Sequence, residues 1–278
     1  MTRVLVTGVR GKTGAPLAQR LAARGDVDLW GGSGDPATVT APGVHPVAFS
    51  WDDPAGWSQA LDGVDALYVV RPDRADAPEL VGALVAAAAP TARVVLLSER
   101  DTEHLGPDTW ALRVERVVRS GPRAWTILRP SWFMQVLTDP RFYQGSILDG
   151  GELPFPSSGA HVAWIDAGDI AAVAERALLD EGHAGVTYEL SGPEAVSLPR
   201  TADLLSRVVG HPVMHRDSSI REAVVGMEGF ERDLSVVTFE RVRDGRYAAV
   251  TDDVEQVLGR PPRSLSAFLE DAGPTLGR

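Results

Sequence analysis

"VLVTGVRGKTGAPLAQRL", residues 4–21, sets a short apolar run against glycines at 8, 11 and 14, then an amphipathic stretch carrying Leu17 and Leu21. The run has the character of a buried strand and the stretch after it has helical period, so the glycines stand at a strand-to-helix turn. Such a turn suits the pyrophosphate of a dinucleotide. It provides a tight bend, close backbone approach to the anion, close packing of helix on strand, and a helix N-terminus facing negative charge. A glycine triplet alone is weak evidence, and its weight comes from what surrounds it.

Outward from that loop, apolar runs alternate with helical patterns. Strands are expected at 3–8, 27–32, 44–51, 66–72, 93–98 and 125–130, and helices at 13–24, 78–89 and 110–121. Nearly continuous apolar strands that alternate with helices imply a parallel sheet covered on both faces. The expected fold class is α/β: a doubly wound parallel-sheet Rossmann fold with a small, mostly helical C-terminal substrate lobe. Its ligand belongs at the carboxyl ends of the strands. Beyond residue 130 the rhythm loosens. Residues 139–161 are rich in Gly, Pro and Ser and read as an irregular covering segment. A helix follows at 169–180 with Asp169 as its N-cap, then a seventh strand at 186–192. Helices near 198–209, 219–234 and 251–258 complete the chain. The expected domains are a dinucleotide-binding core over 1–135, to which 161–195 returns, and a substrate-side cover and lobe from 136–160 and 196–278.

Composition excludes several classes. With 278 residues and 44% hydrophobic content the chain buries a sizeable core. It has no apolar run of about 18 residues and opens straight into a strand, so a cytoplasmic protein without a membrane partner is expected. There is no cysteine, which removes disulfides, thiolate metal sites and cysteine nucleophiles. A net charge of −11 argues against nucleic acid as a partner. His211 and His215 are four apart, but Pro212 lies between them and no Glu is suitably placed, so no metal site is expected. No Gly-x-Ser-x-Gly elbow marks a hydrolase. The oligomeric state is left open.

The spacing Gly-x-x-Gly-x-x-Gly resembles the short-chain dehydrogenase/reductase superfamily. "VAFSWDDPAGWSQALDGVDALYVVRP" (47–72), "WTILRPSWFMQ" (125–135), "IDAGDIAAVAERAL" (165–178) and "LSGPEA" (190–195) resemble its atypical NmrA-like branch, which includes reductases related to ergot alkaloid biosynthesis. The resemblance spans nearly the whole chain and implies a nicotinamide cofactor. Position by position, it implies that Gly8, Gly11, Lys12, Thr13 and Gly14 hold the pyrophosphate, that Asp52 lies near the adenine, and that Val70, Arg71 and Pro72 flank the ribose. It also implies that Ser98 faces the nicotinamide side and that Pro130 to Phe133 line the nicotinamide pocket. At the end of the second strand Gly31, Gly32 and Ser33 stand where the family often has Arg, so neither NAD nor NADP preference is written there. Arg10, just before the second glycine, stands where the superfamily it resembles often puts a basic residue for the 2′-phosphate; a guanidinium fork suits that group and Lys12 adds a point charge. NADPH is therefore favoured, with NADH possible.

The superfamily's usual chemistry uses a Tyr four residues before a Lys. Here Lys12 is the only lysine, and the residues four beyond the tyrosines are Pro72, Ile147, Gly192 and Thr251. One reading is then a reductase whose acceptor needs little protein acid, such as an imine or iminium, a quinone or an activated enone. Tyr143 and His161 are its candidate proton donors. A second reading is an NADP(H)-binding redox sensor without turnover, and a third a non-redox isomerase or cyclase. Trp132, Phe133, Phe142, Tyr143, Phe155 and Trp164 fall close together in sequence, and large rigid apolar surfaces suit a small aromatic or polycyclic metabolite. That favours the reductase.

Overall fold

The computed structural model describes residues 1–106 and 108–276. In chain order the elements begin with β1 (Thr2–Thr7), α1 (Gly14–Ala22), β2 (Val27–Ser33), β3 (His45–Ala48), α2 (Trp57–Ala60) and β4 (Ala66–Val70). There follow α3 (Ala77–Ala87), β5 (Arg93–Leu97), α4 (Trp110–Arg119), β6 (Trp125–Pro130), α5 (Gln144–Gly150), β7 (Glu152–Pro154) and β8 (His161–Val162). The chain continues through α6 (Ala167–Leu179), β9 (Val186–Leu190), β10 (Val196–Ser197), α7 (Leu198–Val209), β11 (Met214–Arg216), α8 (Ile220–Ala223), α9 (Gly229–Arg243), α10 (Asp253–Leu258) and α11 (Leu265–Leu276).

Seven strands join in the order β3-β2-β1-β4-β5-β6-β9. Every pair from β3 across to β6 is parallel. Val4, Leu5 and Val6 of β1 and Leu67, Tyr68 and Val69 of β4 are wholly buried. That explains why these runs carry no polar alternation: helices cover both faces of the sheet. The strand order reverses between β1 and β4, the place where sheets of this kind bind ligands. Thr7 ties that point together, its Oγ1 donating to the Tyr68 carbonyl at 3.1 Å and accepting from the Val70 amide at 2.8 Å.

The chain divides into two compact units, one of Met1–Pro130 with Ala167–Glu189, the other of Ser131–Asp166 with the residues from Leu190 onward. This corrects the expected boundaries. Residues 131–135 and 161–166 go with the second unit because Met134, Val162 and Trp164 bury themselves in its core with Phe155, Leu198 and Leu269, and residues 190–195 lead directly to Val196 of the same core. Within that unit β7 pairs with β11 in parallel and β8 with β10 antiparallel.

Three local expectations also change. The helix expected from Asp169 starts at Ala167, which puts Asp169 inside its first turn, buried. The helix expected over 219–234 is two helices, α8 and α9, parted by Gly226 and Gly229 at φ +84° and +54°. The segment expected to be irregular contains α5, β7 and β8, with Gly151 closing α5 in the left-handed conformation.

Candidate functional site

Gly8 leaves β1 at φ +66°, where a side chain is strained. The Gly11 amide donates to the Gly8 carbonyl at 2.8 Å, and the Ala15 amide donates to the Gly11 carbonyl at 3.0 Å. A Cβ at Gly14 would stand 2.2 Å from the Gly8 oxygen, so the head of α1 presses directly on the loop backbone. Leu17 and Leu21, three and seven residues on, continue that same buried face and hold the helix there. Thr13 occupies the N-cap without a side-chain capping bond, and the first turn carries no acid. A helix head that is neither capped by its own side chain nor shielded by a carboxylate is suited to an anion. These residues therefore fit a dinucleotide pyrophosphate. Arg10 is exposed on the loop and bonds to no described residue.

At the end of β2 packing explains the glycines. A Cβ at Gly31 would come within 2.7 Å of Val44 Cγ1, and one at Gly32 within 3.0 Å of Phe49 Cβ. Ser33 is buried and donates its Oγ hydrogen to the Asp35 carbonyl at 3.0 Å. The Asp35 carboxylate accepts from the Ala37 amide at 3.1 Å, capping a 3₁₀ turn over Pro36–Thr38. Asp52 is exposed and ion-paired with Arg74, which also holds Asp76 at 2.6 Å. Val70 ends β4, and past it Arg71 turns toward β5. Its guanidinium meets Glu99 at 2.6 Å and Asp73 at 2.7 Å and lies over the Trp110 ring at 4.3 Å. Pro72 follows in the half-buried connection.

Just past the end of β5, Ser98 donates its hydroxyl hydrogen to Glu115 Oε1 at 2.7 Å. Glu115, on α4, has no exposed surface. It is held by both arms of Arg129, Nε at 2.8 Å and Nη2 at 2.7 Å, and by Arg119 at 3.0 Å. Arg129 in turn reaches Glu189 at 3.0 Å and Glu103 at 3.1 Å. Burial pushes the Glu189 carboxyl up, against the pull of Arg129. This network was missed in the sequence, although a charged residue inside the apolar run "WTILRP" is a signal for it.

In the second unit Trp132 belongs to a ring cluster, with centroids 5.1 Å from Phe155 and 5.4 Å from both Phe239 and Tyr247. Tyr143 lies 5.7 Å and Trp164 5.9 Å from Phe155. Phe155 and Trp164, at 0% and 1% exposure, are core side chains, a correction to their expected place on a pocket wall. Trp164 donates its indole hydrogen to Thr201 at 3.2 Å. Phe133 is half-buried and its backbone bridges to Ile165, and Phe142 is 50% exposed. Pro130, at the end of β6, belongs to the first unit and is buried. Burial pushes the half-buried Tyr143 phenol up. His161 is exposed in β8, opposite Ser197, and takes no part in the ring cluster. The expectation missed Phe239 and Tyr247, which come from α9 and the turn after it, far along the chain. His215 is engaged by the Phe155 carbonyl at 2.9 Å.

The family model described as the NmrA-like family matches residues 2–244. The chain belongs to the NmrA-like family. Among NmrA-like and related proteins, it is 32% identical over 268 residues to a (4-alkanoyl-5-oxo-2,5-dihydrofuran-3-yl)methyl phosphate reductase of Streptomyces griseus, covering 94% of each chain. It is 32% identical over 250 residues to an NAD(P)H azoreductase of Xenophilus azovorans, covering 86% of each. The solved NADPH complex of an Escherichia coli NADPH-dependent quinone oxidoreductase shares the fold, with a TM-score of 0.80 at 21% identity over 96% of this chain and 99% of that one. No described helix is long and apolar enough to cross a membrane.

Proposed function

We propose that this NmrA-like protein is an NADPH-dependent reductase of a small aromatic or polycyclic metabolite, with an imine or iminium, a quinone or an activated enone as the reducible group. The observation that carries the reading is the uncapped, acid-free head of α1 behind Gly8, Gly11 and Gly14, where a Cβ on Gly14 would strike the Gly8 oxygen. Membership of a family whose relatives at about one-third identity are named reductases supports it. When bound, the cofactor supplies a hydride. Everything else falls to the chain's own residues.

Thr13 and Gly14 present backbone to the pyrophosphate, Gly11 keeps the turn tight through its bond to the Gly8 carbonyl, and Lys12 adds charge beside it. Arg10, exposed and bonded to no described residue, offers its fork to a 2′-phosphate, while Gly31, Gly32 and Ser33 offer no carboxylate to a ribose hydroxyl. Asp52, Val70, Arg71, Pro72 and Ser98 stand by the adenosine and nicotinamide ends in this reading, with the Arg71 and Ser98 side chains themselves bonded to Glu99 and Glu115. Trp132 gives an acceptor a flat apolar surface. Tyr143, held protonated by burial, donates a hydrogen bond to the acceptor's heteroatom and orients it. With no lysine to lower that phenol, the acceptor must be electron-poor enough to take hydride without a strong acid.

Absorbance loss of NADPH, followed with a panel of quinones, azo compounds and cyclic imines, tests the reading. It expects turnover with at least one class that slows markedly in Trp132→Ala. Bound NADPH that no acceptor consumes would mark a redox sensor instead.

A further inference from the structure

Tyr68 lies on β4 opposite Val6 of β1 and is wholly buried. Its hydroxyl is buried as well, and no described group meets it in hydrogen-bond geometry. Phenylalanine would fill nearly the same space without taking an oxygen out of water, and a buried hydroxyl without a partner opposes folding. The phenol's polar neighbour is the Thr13 side chain, close enough to favour the ionised phenol as a hydrogen-bond partner does, yet short of full hydrogen-bond geometry. Thr13 is the N-cap of α1, itself buried and free of any capping bond. The unused hydroxyl thus stands beneath the point at which an anion would meet the helix.

We propose that Tyr68 is a positioning residue for dinucleotide binding, its phenol fixing Thr13 from below through a hydroxyl-to-hydroxyl bond that closes when an anion takes the amides at the head of α1. The inference rests on the glycine loop being the cofactor cradle. The Thr13 amide is among the donors that a helix head leaves open. An anion drawing on those amides shifts Thr13 by a small amount, and its Oγ1, with two lone pairs, then accepts the phenolic hydrogen. Burial keeps the phenol protonated, so it remains a donor across the neutral range. A bond made only in the complex adds to affinity and leaves the free protein no more stable.

Calorimetric titration with NADP⁺, combined with thermal melting of the free protein, tests this on Tyr68→Phe. The expected result is a Kd raised roughly five-fold, the size of one neutral hydrogen bond, with the melting temperature of the free protein unchanged or higher. In a Thr13→Val background, which keeps the shape and removes the hydroxyl, Tyr68→Phe should cause no further loss. An unchanged Kd, an equal loss in both backgrounds, or a lowered melting temperature of free Tyr68→Phe would overturn the inference. Wild-type protein that binds no NADP⁺ would instead overturn the cofactor reading beneath it.

Discussion

At the scale of single residues, the proposed function divides the loop into groups that make a cradle and groups that select the ligand. Gly14 belongs to the first kind. Its Cβ would lie 2.2 Å from a backbone carbonyl oxygen that the Gly11 amide already holds, so Gly14→Ala should abolish dinucleotide binding and lower the melting temperature, as fluorescence titration and calorimetry would read. Arg10 belongs to the second. A charge-assisted pair is worth about 1.5–3 kcal/mol, so Arg10→Ala should raise the Kd of NADPH by about ten-fold or more while leaving that of NADH nearly unchanged. Tyr143 gives a pH prediction. Its phenol is raised in the folded protein, so the folded state holds that proton more tightly than the unfolded chain. The resulting stability is present below the ordinary phenol value of about 10 and is lost as pH rises past it. Tyr143→Phe should flatten the alkaline fall in urea midpoint, and no change in slope would show that the phenol meets solvent.

Among elements, α4, β6 and β9 are joined through one buried carboxylate. Removing Glu115 leaves Arg129, 4% exposed, without the partner that both its arms hold. Breaking a buried pair from one side costs about 3–5 kcal/mol, and Glu115→Ala should lower the melting temperature by roughly 10 °C. A melt within a degree of wild type would show that Glu103 and Glu189 suffice for Arg129. That network was only partly legible in the sequence. Arg129 in an apolar strand announces a need for a counter-charge, but Glu115 is one acid among many until the helix places it. The parallel strands themselves were legible because burial on both faces removes polar residues from each run. The break between α8 and α9 was not, since the apolar spacing from Ile220 onward continues through Gly226 and Gly229, and only their positive φ values reveal the turn. Asp169 looked like a cap by residue type, yet α6 starts two residues earlier and buries it.

For the whole molecule, cofactor chemistry was readable before acceptor chemistry, and for a physical reason. The proposed cradle is local: seven consecutive residues, Gly8 to Gly14, contain most of it. The ring cluster of the second unit is assembled from Trp132, Tyr143, Phe155, Phe239 and Tyr247, spread over more than a third of the chain, and sequence proximity could not point to Phe239 and Tyr247. A ligand that binds only the folded chain stabilises it by mass action. NADPH at a hundred times its Kd should therefore add about 2.7 kcal/mol and raise the melting temperature by several degrees, and NADH at the same concentration should add less. The most direct measurement follows on the same sample: titrate wild type and Arg10→Ala with NADPH and NADH, then add quinone, imine and enone acceptors in turn and monitor NADPH absorbance. The account predicts tighter binding of NADPH than of NADH, loss of that preference in the variant, and consumption of NADPH by the wild type with at least one of these acceptors. Equal binding of the two cofactors by wild type, or tight NADPH binding with no consumption by any acceptor, would contradict it.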